Sequence, residues 1–145
     1  MTTLVLDCGE RIVGILHVEN DLFRIYTLGE DMDQALDLIR VADEVVTYNG
    51  TFHDLKVLGK FAGLDGELPI QGAHADMQRI RWDPILGSNL VGTYDELFPH
   101  RPTPPPPQQT IPVHLDGYQR NNLRDVMMTF ELWKLWKQGK LPTCS

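Results

Sequence analysis

The sequence predicts an α/β fold in which a mixed β-sheet, three antiparallel strands followed by parallel strands, is flanked by helices. The first observation is a set of three apolar or alternating segments at Thr3–Leu6, Arg11–Val18 and Leu22–Leu28. The short polar segments Asp7–Glu10 and Glu19–Asp21 separate them. This spacing is typical of strands joined by tight turns, so the three segments are expected to form an antiparallel meander.

A helix and a fourth strand are the second observation. Asp31 is a candidate N-cap, because its side chain can accept a hydrogen bond from a free backbone N–H at the helix start. Apolar residues then follow at helical spacing, namely Met32, Ala35, Leu36 and Ile39. Glu44–Tyr48 is predicted to pair parallel to the first strand, since a helical crossover separates the two.

Two further helices are the third observation. Phe52–Phe61 is predicted to be helical and to end at Gly63. The longest helix is expected at Tyr118–Gln138. Its buried face is predicted to contain Leu123, Met127, Phe130 and Trp133.

Between these helices the pattern is less regular. Leu68–Gln71 is predicted to be a short fifth strand. A helical segment is expected directly after Asp76, and Asp76 is predicted to be its N-cap. A short helix is expected around Ser88–Leu97, with Ser88 as its cap. The segment 101–112 contains four consecutive prolines, so it can be neither a helix nor a central strand. It is expected to be an extended loop, and binding of a proline-recognising protein partner is an alternative role for it.

Composition narrows the class of protein. A chain of 145 residues with 42% apolar side chains is expected to form a single domain, 1–145, with its own core. No run of about 18 apolar residues is present, and no basic leader precedes the first strand, so neither a membrane span nor a secretory signal is expected. Cys8 and Cys144 stand at opposite ends of the chain, which favours free thiols, a reducing compartment and a cytoplasmic location.

Charge is distributed unevenly along the chain. The formal net charge is −7; residues 1–50 carry three basic and ten acidic side chains, whereas residues 51–145 carry ten of each. This distribution argues against a protein that binds nucleic acid through a broad basic surface. It is compatible with a protein that meets phosphate through metal ions.

The sequence around two aspartates makes them candidates for a functional site. The β-branched residues of the fourth strand lead into Asn49-Gly50, and Asp54 follows at the start of a predicted helix. The carboxyl ends of parallel strands are where α/β sheets commonly place their chemistry. The structural alternative is that Asp54 only caps its helix. Asp7 is the second candidate, because an aspartate that ends a buried apolar strand needs a partner or a metal ion.

The order of the predicted elements resembles the ribonuclease H-like pattern, and the motifs resemble the DEDD superfamily of 3′–5′ exonucleases. Asn49-Gly50 followed by Asp54 is similar to the second motif of that superfamily. Asp7 matches the first catalytic aspartate, and Asp125 on the last predicted helix matches the final one. The resemblance runs in order through most of the chain and implies a ribonuclease H-like mixed sheet.

The resemblance also implies an activity, the hydrolysis of phosphodiester bonds at the 3′ end of DNA or RNA. In this chemistry carboxylates hold two divalent cations, and Mg²⁺ or Mn²⁺ suits such an all-oxygen site. Asp7, Asp54 and Asp125 would be both the metal ligands and the catalytic residues. Three polar residues are candidates for substrate binding, namely Asn49, Arg120 and Arg124.

The chain departs from the family pattern at three places. In the second motif of the family a phenylalanine directly precedes the aspartate, whereas His53 separates Phe52 from Asp54 here. The family has a glutamate two residues after the first aspartate, where this chain has Gly9; Glu10 lies one residue out of phase for an extended strand. The family has a histidine or a tyrosine at the position of Arg120 or Asn121, whereas the nearest tyrosine here is Tyr118. Glu10 and Tyr118 are therefore further candidates for catalytic roles.

Two alternatives stand beside the exonuclease hypothesis. The opening segment Leu4–Gly14 also resembles Holliday-junction-resolvase-type members of the same fold, in which a glycine at position 9 is expected because the turn is tight. The other alternative is a relative that has lost catalysis and serves as a nucleic-acid-binding or protein-interaction module. His53 and His114 are alternative candidates for the general base.

Overall fold

The fold is organised around one six-stranded β-sheet, seen in a computed structural model that describes residues 1–81 and 89–142. In chain order the strands are β1 (Thr3–Cys8), β2 (Ile12–His17), β3 (Leu22–Thr27), β4 (Glu44–Thr47), β5 (Ala73–Asp76) and β6 (Gln109–Ile111). Their order in the sheet is β5-β4-β1-β2-β3-β6. The predicted α/β class with a mixed sheet is therefore confirmed.

The first three strands form the expected antiparallel meander. β1 pairs antiparallel with β2, and β2 with β3, so that Asp7 lies opposite Gly14. The turn between β1 and β2 is closed by a hydrogen bond of 2.8 Å from the N–H of Gly9 to the carbonyl of Ile12. Asp7 and Cys8 were predicted to belong to the turn, but they continue the β1 ladder.

The parallel half of the sheet is partly as predicted. β4 pairs parallel to β1, as the helical crossover required, and β5 pairs parallel to β4. The predicted strand at Leu68–Gln71 is wrong, because the fifth strand is Ala73–Asp76. Pro69 cannot donate a hydrogen bond to a strand ladder. Gly72 then brings the backbone so close to the carbonyls of Ala42 and Asp43 that a Cβ there would clash.

Helices cover both faces of the sheet. They are α1 (Met32–Val41), α2 (Leu55–Phe61), α3 (Met77–Ile80), α4 (Leu90–Leu97) and α5 (Gly117–Lys137). On one face, alternate residues of β1 such as Leu4 and Leu6 pack with α1 and α2. On the other face, Val5 packs with residues of α5 that include Val126 and Leu132. Because side chains alternate along a strand, each residue of β1 faces one helical layer or the other.

The buried face of α5 differs from the predicted stripe. Met127 is buried as expected, but Leu123, Phe130 and Trp133 are only half buried. The most buried positions on this helix are Asn122, Val126, Met127, Met128, Thr129, Glu131 and Leu132. The helix packs against the sheet and α4 at once, so it buries a wider face than a single stripe.

Three smaller predictions have different outcomes. Asp31 does precede α1, but its side chain accepts from the N–H of Thr27 and from Arg24 and does not cap the helix. Ser88 lies outside the described residues, and Asn89 caps α4. The end of the proline-rich segment forms β6, an edge strand parallel to β3. None of the described helices is long and apolar enough to span a membrane.

Candidate functional site

The first predicted carboxylate, Asp7, lies at the end of β1 on the face covered by α5. The side-chain amide of Asn122 donates to the backbone carbonyl of Asp7 at 3.0 Å and to its Oδ2 at 3.3 Å. A Cβ on Gly14, the β2 residue opposite Asp7, would clash with the Asn122 amide. Gly14 therefore makes the room that lets α5 contact the carboxylate directly.

The second carboxylate, Asp54, is delivered by an irregular turn after β4. Asn49 adopts a left-handed conformation with φ of 70°, and the π-helical turn Gly50–Asp54 then precedes α2, which was predicted to begin at Phe52. Asp54 is 1% exposed, and its Oδ1 accepts from the N–H of Cys8 at 3.2 Å and lies 3.0 Å from His53 Nδ1. Asp54 caps no N–H of α2, so the capping alternative is wrong.

The turn itself is held by hydrogen bonds to its neighbours in β5. Asp76 accepts from the N–H groups of Asn49 at 2.8 Å and Thr51 at 3.0 Å, and from Gln78 at 3.2 Å as the cap of α3. The predicted capping role of Asp76 is therefore confirmed, and the same carboxylate also anchors the turn that carries Asp54.

The third carboxylate, Asp125, lies on α5 three residues after Asn122, hence on nearly the same helix face. Its side chain is 30% exposed, and its Oδ1 accepts from Arg124 Nε at 3.2 Å and Nη2 at 3.1 Å. The Arg124 side chain, predicted to bind substrate, is thus paired with a predicted metal ligand. Asp125 and a bound substrate would compete for the Arg124 guanidinium.

Electrostatics connect the three predicted carboxylates. The pKa of Asp7 is raised from 3.8 to about 8, first by burial and then by the negative charges of Asp54 and Asp125, while His53 acts in the opposite direction. The charges of Asp54 and Asp125 thus act on Asp7, although the three residues come from distant parts of the chain. The hydrogen bond to Asp54 raises the pKa of His53, and burial raises the pKa of the Cys8 thiol.

Two buried oxygen atoms at this place have no hydrogen-bond partner within the described part of the chain. They are Oδ2 of Asp54 and Oδ1 of Asn122. Both are acceptors, and a buried acceptor without a donor costs free energy unless something else binds it. Carboxylate and amide oxygens are ligands that Mg²⁺ and Mn²⁺ accept, so the residues present fit such a cation. The described residues nevertheless contain no group of three His, Cys, Asp or Glu side chains already arranged to hold a metal ion.

The β1–β2 turn shows why position 9 is a glycine. The Tyr118 hydroxyl accepts a hydrogen bond of 2.7 Å from the N–H of Glu10 and lies directly over Gly9, where a Cβ would clash with it. Tyr118 thus contacts the turn from the first residues of α5. The Glu10 side chain lies on the exposed turn. It is the backbone of Glu10, rather than its carboxylate, that contacts Tyr118.

A pocket of about 420 Å³ opens beside these residues. Its lining includes Glu10, His53, Lys60, Phe61 and Tyr118. None of the three predicted carboxylates lines this pocket, but His53, which lies 3.0 Å from Asp54, does. Its size is within the range of pockets that hold small molecules.

The other predicted residues are less closely involved. Asn49 is half buried and uses its N–H for Asp76, while Arg120 is exposed and donates to the carbonyl of Leu115 at 3.0 Å. His114 is exposed.

Asn122 is a residue of the candidate site that sequence reasoning missed. It precedes Asp125 by three positions, so the two residues lie on nearly the same face of α5. A polar residue at that spacing from a candidate ligand was a usable signal for a second group on that helix face.

Comparison with protein-family models and with curated protein sequences finds no match to this chain.

Proposed function

We propose that this chain is a metal-dependent nuclease of the ribonuclease H-like fold that hydrolyses phosphodiester bonds as a 3′–5′ exonuclease on DNA or RNA. The proposal rests mainly on the electrostatic interaction of Asp54 and Asp125 with Asp7, which together with burial raises the pKa of Asp7 to about 8. Strongly perturbed pKa values of this kind cluster at functional sites.

The strand arrangement supports the fold part of the proposal. An antiparallel β1-β2-β3 meander is continued by β4 and β5 on the other side of β1, with helices on both faces. This is the arrangement that the ribonuclease H-like resemblance implies. It brings the ends of β1 and β4 side by side, which is where Asp7 and the turn to Asp54 lie.

In this proposal Asp7, Asp54 and Asp125 hold two divalent cations, Mg²⁺ or Mn²⁺. Such ions supply a nucleophilic hydroxide and stabilise the leaving oxygen. Asn122 orients Asp7 through its two hydrogen bonds, and His53 orients Asp54. The Tyr118 hydroxyl accepts from the N–H of Glu10 and lines the pocket, and no hydrogen bond occupies its own proton among the described residues.

A second candidate function is a nucleic-acid-binding or protein-interaction module without catalysis. The observation that favours it is the Tyr118 ring over Gly9, which occupies the space of the carboxylate that the family uses there. The same electrostatic cluster would then serve only to bind a cation or a basic partner.

Cleavage assays distinguish the two candidates. Labelled single-stranded DNA and RNA are incubated with Mg²⁺ or Mn²⁺, with the wild-type protein and with Asp54→Asn. Wild type is expected to shorten the strand from its 3′ end, and Asp54→Asn to lose more than the roughly 100-fold that removal of an outer-shell partner costs. Asp65→Ala removes an exposed carboxylate and is the matched control, with unchanged activity expected.

A crystal soaked in Mn²⁺ gives the structural counterpart of that assay. Two anomalous peaks between Asp7, Asp54 and Asp125 are expected. An empty site at millimolar Mn²⁺, together with no cleavage of either strand type, would reject the nuclease in favour of the binding module.

A further inference from the structure

Phe52 is an exposed aromatic side chain beside the carboxylates. It lies in the π-helical turn Gly50–Asp54, two residues before Asp54, and it is 64% exposed. The ring belongs to neither hydrophobic core cluster of the sheet. The other large exposed apolar side chains lie on other elements, for example Val91 on α4 and Val113 after β6. Among the described residues, no other large exposed apolar side chain lies on this turn, on α2 or on α3.

Two positive charges lie over the ring. Lys56 Nζ on α2 lies 6.0 Å from the ring centroid, and the guanidinium carbon of Arg79 on α3 lies 5.6 Å from it. Three separate elements thus contribute to one exposed surface, which we call the Phe52 platform (Phe52, Lys56 and Arg79).

The two cations of the platform are not neutralised by the described part of the chain. Most basic side chains form an ion pair there, namely Arg24, Arg40, Arg81, Arg101, Arg124, Lys134 and Lys137. Among the described residues, Lys56 and Arg79 pair with no carboxylate. The chain has a net charge of −7. Lys56 and Arg79 nevertheless place two unpaired positive charges at one exposed ring.

We propose that the Phe52 platform binds single-stranded nucleic acid, with a base stacked on the Phe52 ring and phosphates next to Lys56 and Arg79. The inference rests on the proposed nuclease function, because the platform lies on the turn that carries Asp54. Unpaired bases stack on exposed aromatic rings, and cations follow the backbone beside them. Bases within a duplex already stack on each other and cannot do so. The substrate class is therefore a single strand or a frayed 3′ end.

Charge complementarity favours a nucleic acid over a protein partner. A protein hot spot would have a cluster of apolar side chains around the aromatic residue. Here an isolated ring has a cation in contact with it from each of two neighbouring helices. One exposed ring with adjacent positive charges suits a base and its neighbouring phosphates.

Fluorescence anisotropy tests the stacking. A short fluorescein-labelled oligodeoxythymidylate is titrated with protein at low ionic strength in EDTA, so that no cleavage occurs. Phe52→Leu keeps an apolar side chain but lacks a π-face, and it should weaken binding by roughly 5- to 100-fold. Phe52→Tyr keeps the ring and should bind like wild type. The same sequence as a blunt duplex should show no dependence on Phe52.

Salt titrations test the charges. Arg79→Ala should lower the slope of log K against log salt by about one unit. Lys140→Ala removes one equally exposed charge beyond the end of α5, where Lys137 pairs with Glu44 at the start of β4. This site is at the end of the sheet away from Asp54, so Lys140→Ala should leave the slope unchanged.

Binding and cleavage are scored separately. No binding by wild type at low ionic strength, or equal affinities for wild type and Phe52→Leu, would overturn the platform even if cleavage depends on Asp54. A Phe52-dependent affinity without cleavage by wild type in Mn²⁺ would support the platform and reject the nuclease. Asp54→Asn should keep the dependence on Phe52, since it changes a carboxylate and not the platform.

Discussion

Asp7 shows how strongly one residue depends on its surroundings. Its strand is apolar, its neighbour across the ladder is Gly14, and its contacts from α5 come from Asn122. Burial and the charges of Asp54 and Asp125 together favour the protonated form, so the pKa is raised to about 8. At neutral pH the metal-free protein therefore keeps a proton on a carboxyl group that would be ionised in the unfolded chain.

We expect the metal-free protein to lose stability as the pH rises from 5 towards 8. The folded pKa lies above the unfolded value, so the stabilising contribution is complete below the unfolded pKa and is lost as pH rises through about 8. The slope from one such group is up to about 1.4 kcal/mol per pH unit. Urea unfolding in EDTA at several pH values measures it.

Asp7→Asn is the decisive comparison for that slope. Asparagine has nearly the same shape and carries no titrating proton, so the variant should show a flatter stability profile than wild type. The raised pKa of His53 also makes the free energy of unfolding fall as the pH rises. The variant His53→Gln removes that contribution, so the effect of Asp7 can be measured separately. Parallel profiles for wild type and Asp7→Asn would contradict the assignment.

At the scale of elements, the turn that carries Asp54 is held from β5 rather than from its own helix. Asp76 accepts hydrogen bonds from two N–H groups of the turn and from one of α3. The hydroxyl of Thr47 accepts a hydrogen bond of 3.0 Å from the N–H of Gly50. The same hydroxyl lies 2.8 Å from His74 Nε2 on β5. The left-handed conformation of Asn49 is thereby fixed at the end of β4. The position of Asp54 thus depends on a neighbouring strand.

Asp76→Ala should therefore affect both stability and metal binding. It leaves three N–H groups without their acceptor, so the free energy of unfolding should fall by at least about 2 kcal/mol. Because the turn is released, the affinity for Mn²⁺ should fall as well. Calorimetric titration with Mn²⁺ and urea unfolding measure the two effects.

Asn89→Ala is the matched control for Asp76→Ala. It removes the cap of α4, a helix that carries none of the three carboxylates, and should cost about 1 kcal/mol. Its affinity for Mn²⁺ should equal that of wild type. Equal Mn²⁺ affinity in Asp76→Ala and Asn89→Ala would show that the turn does not position the metal ligands.

At the scale of the molecule, binding of a cation should stabilise the folded chain as a whole. The unfolded chain cannot bring Asp7, Asp54 and Asp125 together, so Mn²⁺ binds the folded state alone. At about 100 times its Kd it should raise the free energy of unfolding by about 2.7 kcal/mol. Thermal unfolding with and without Mn²⁺ checks the gain.

The Mn²⁺ effect should also depend on pH. Below about 8 a proton leaves Asp7 when the ion binds, so the affinity should rise with pH over that range. Asp54→Asn should abolish the gain in stability. An equal gain in wild type and Asp54→Asn would mean that Mn²⁺ binds elsewhere.

The sequence alone was sufficient for the elements with strong local patterns. The meander, the crossover to β4 and the long α5 were predictable because alternation and helical spacing are local properties. β5 was missed because Ala73-His74-Ala75-Asp76 has no β-branched residue; only its place beside β4 makes it a strand. The buried face of α5 was only partly predicted, since a spacing rule does not indicate how many neighbours a helix has.

For the site, the sequence determined which residues carry charge, and the tertiary structure decided how they meet. Asp7, Asp54 and Asp125 were identified from strand ends and motif spacing. The contact of Asn122 with Asp7, the anchoring of the turn by Asp76 and the ring of Tyr118 over Gly9 join residues far apart in the chain. No local pattern encodes such contacts, because they exist only when the sheet and α5 are packed together.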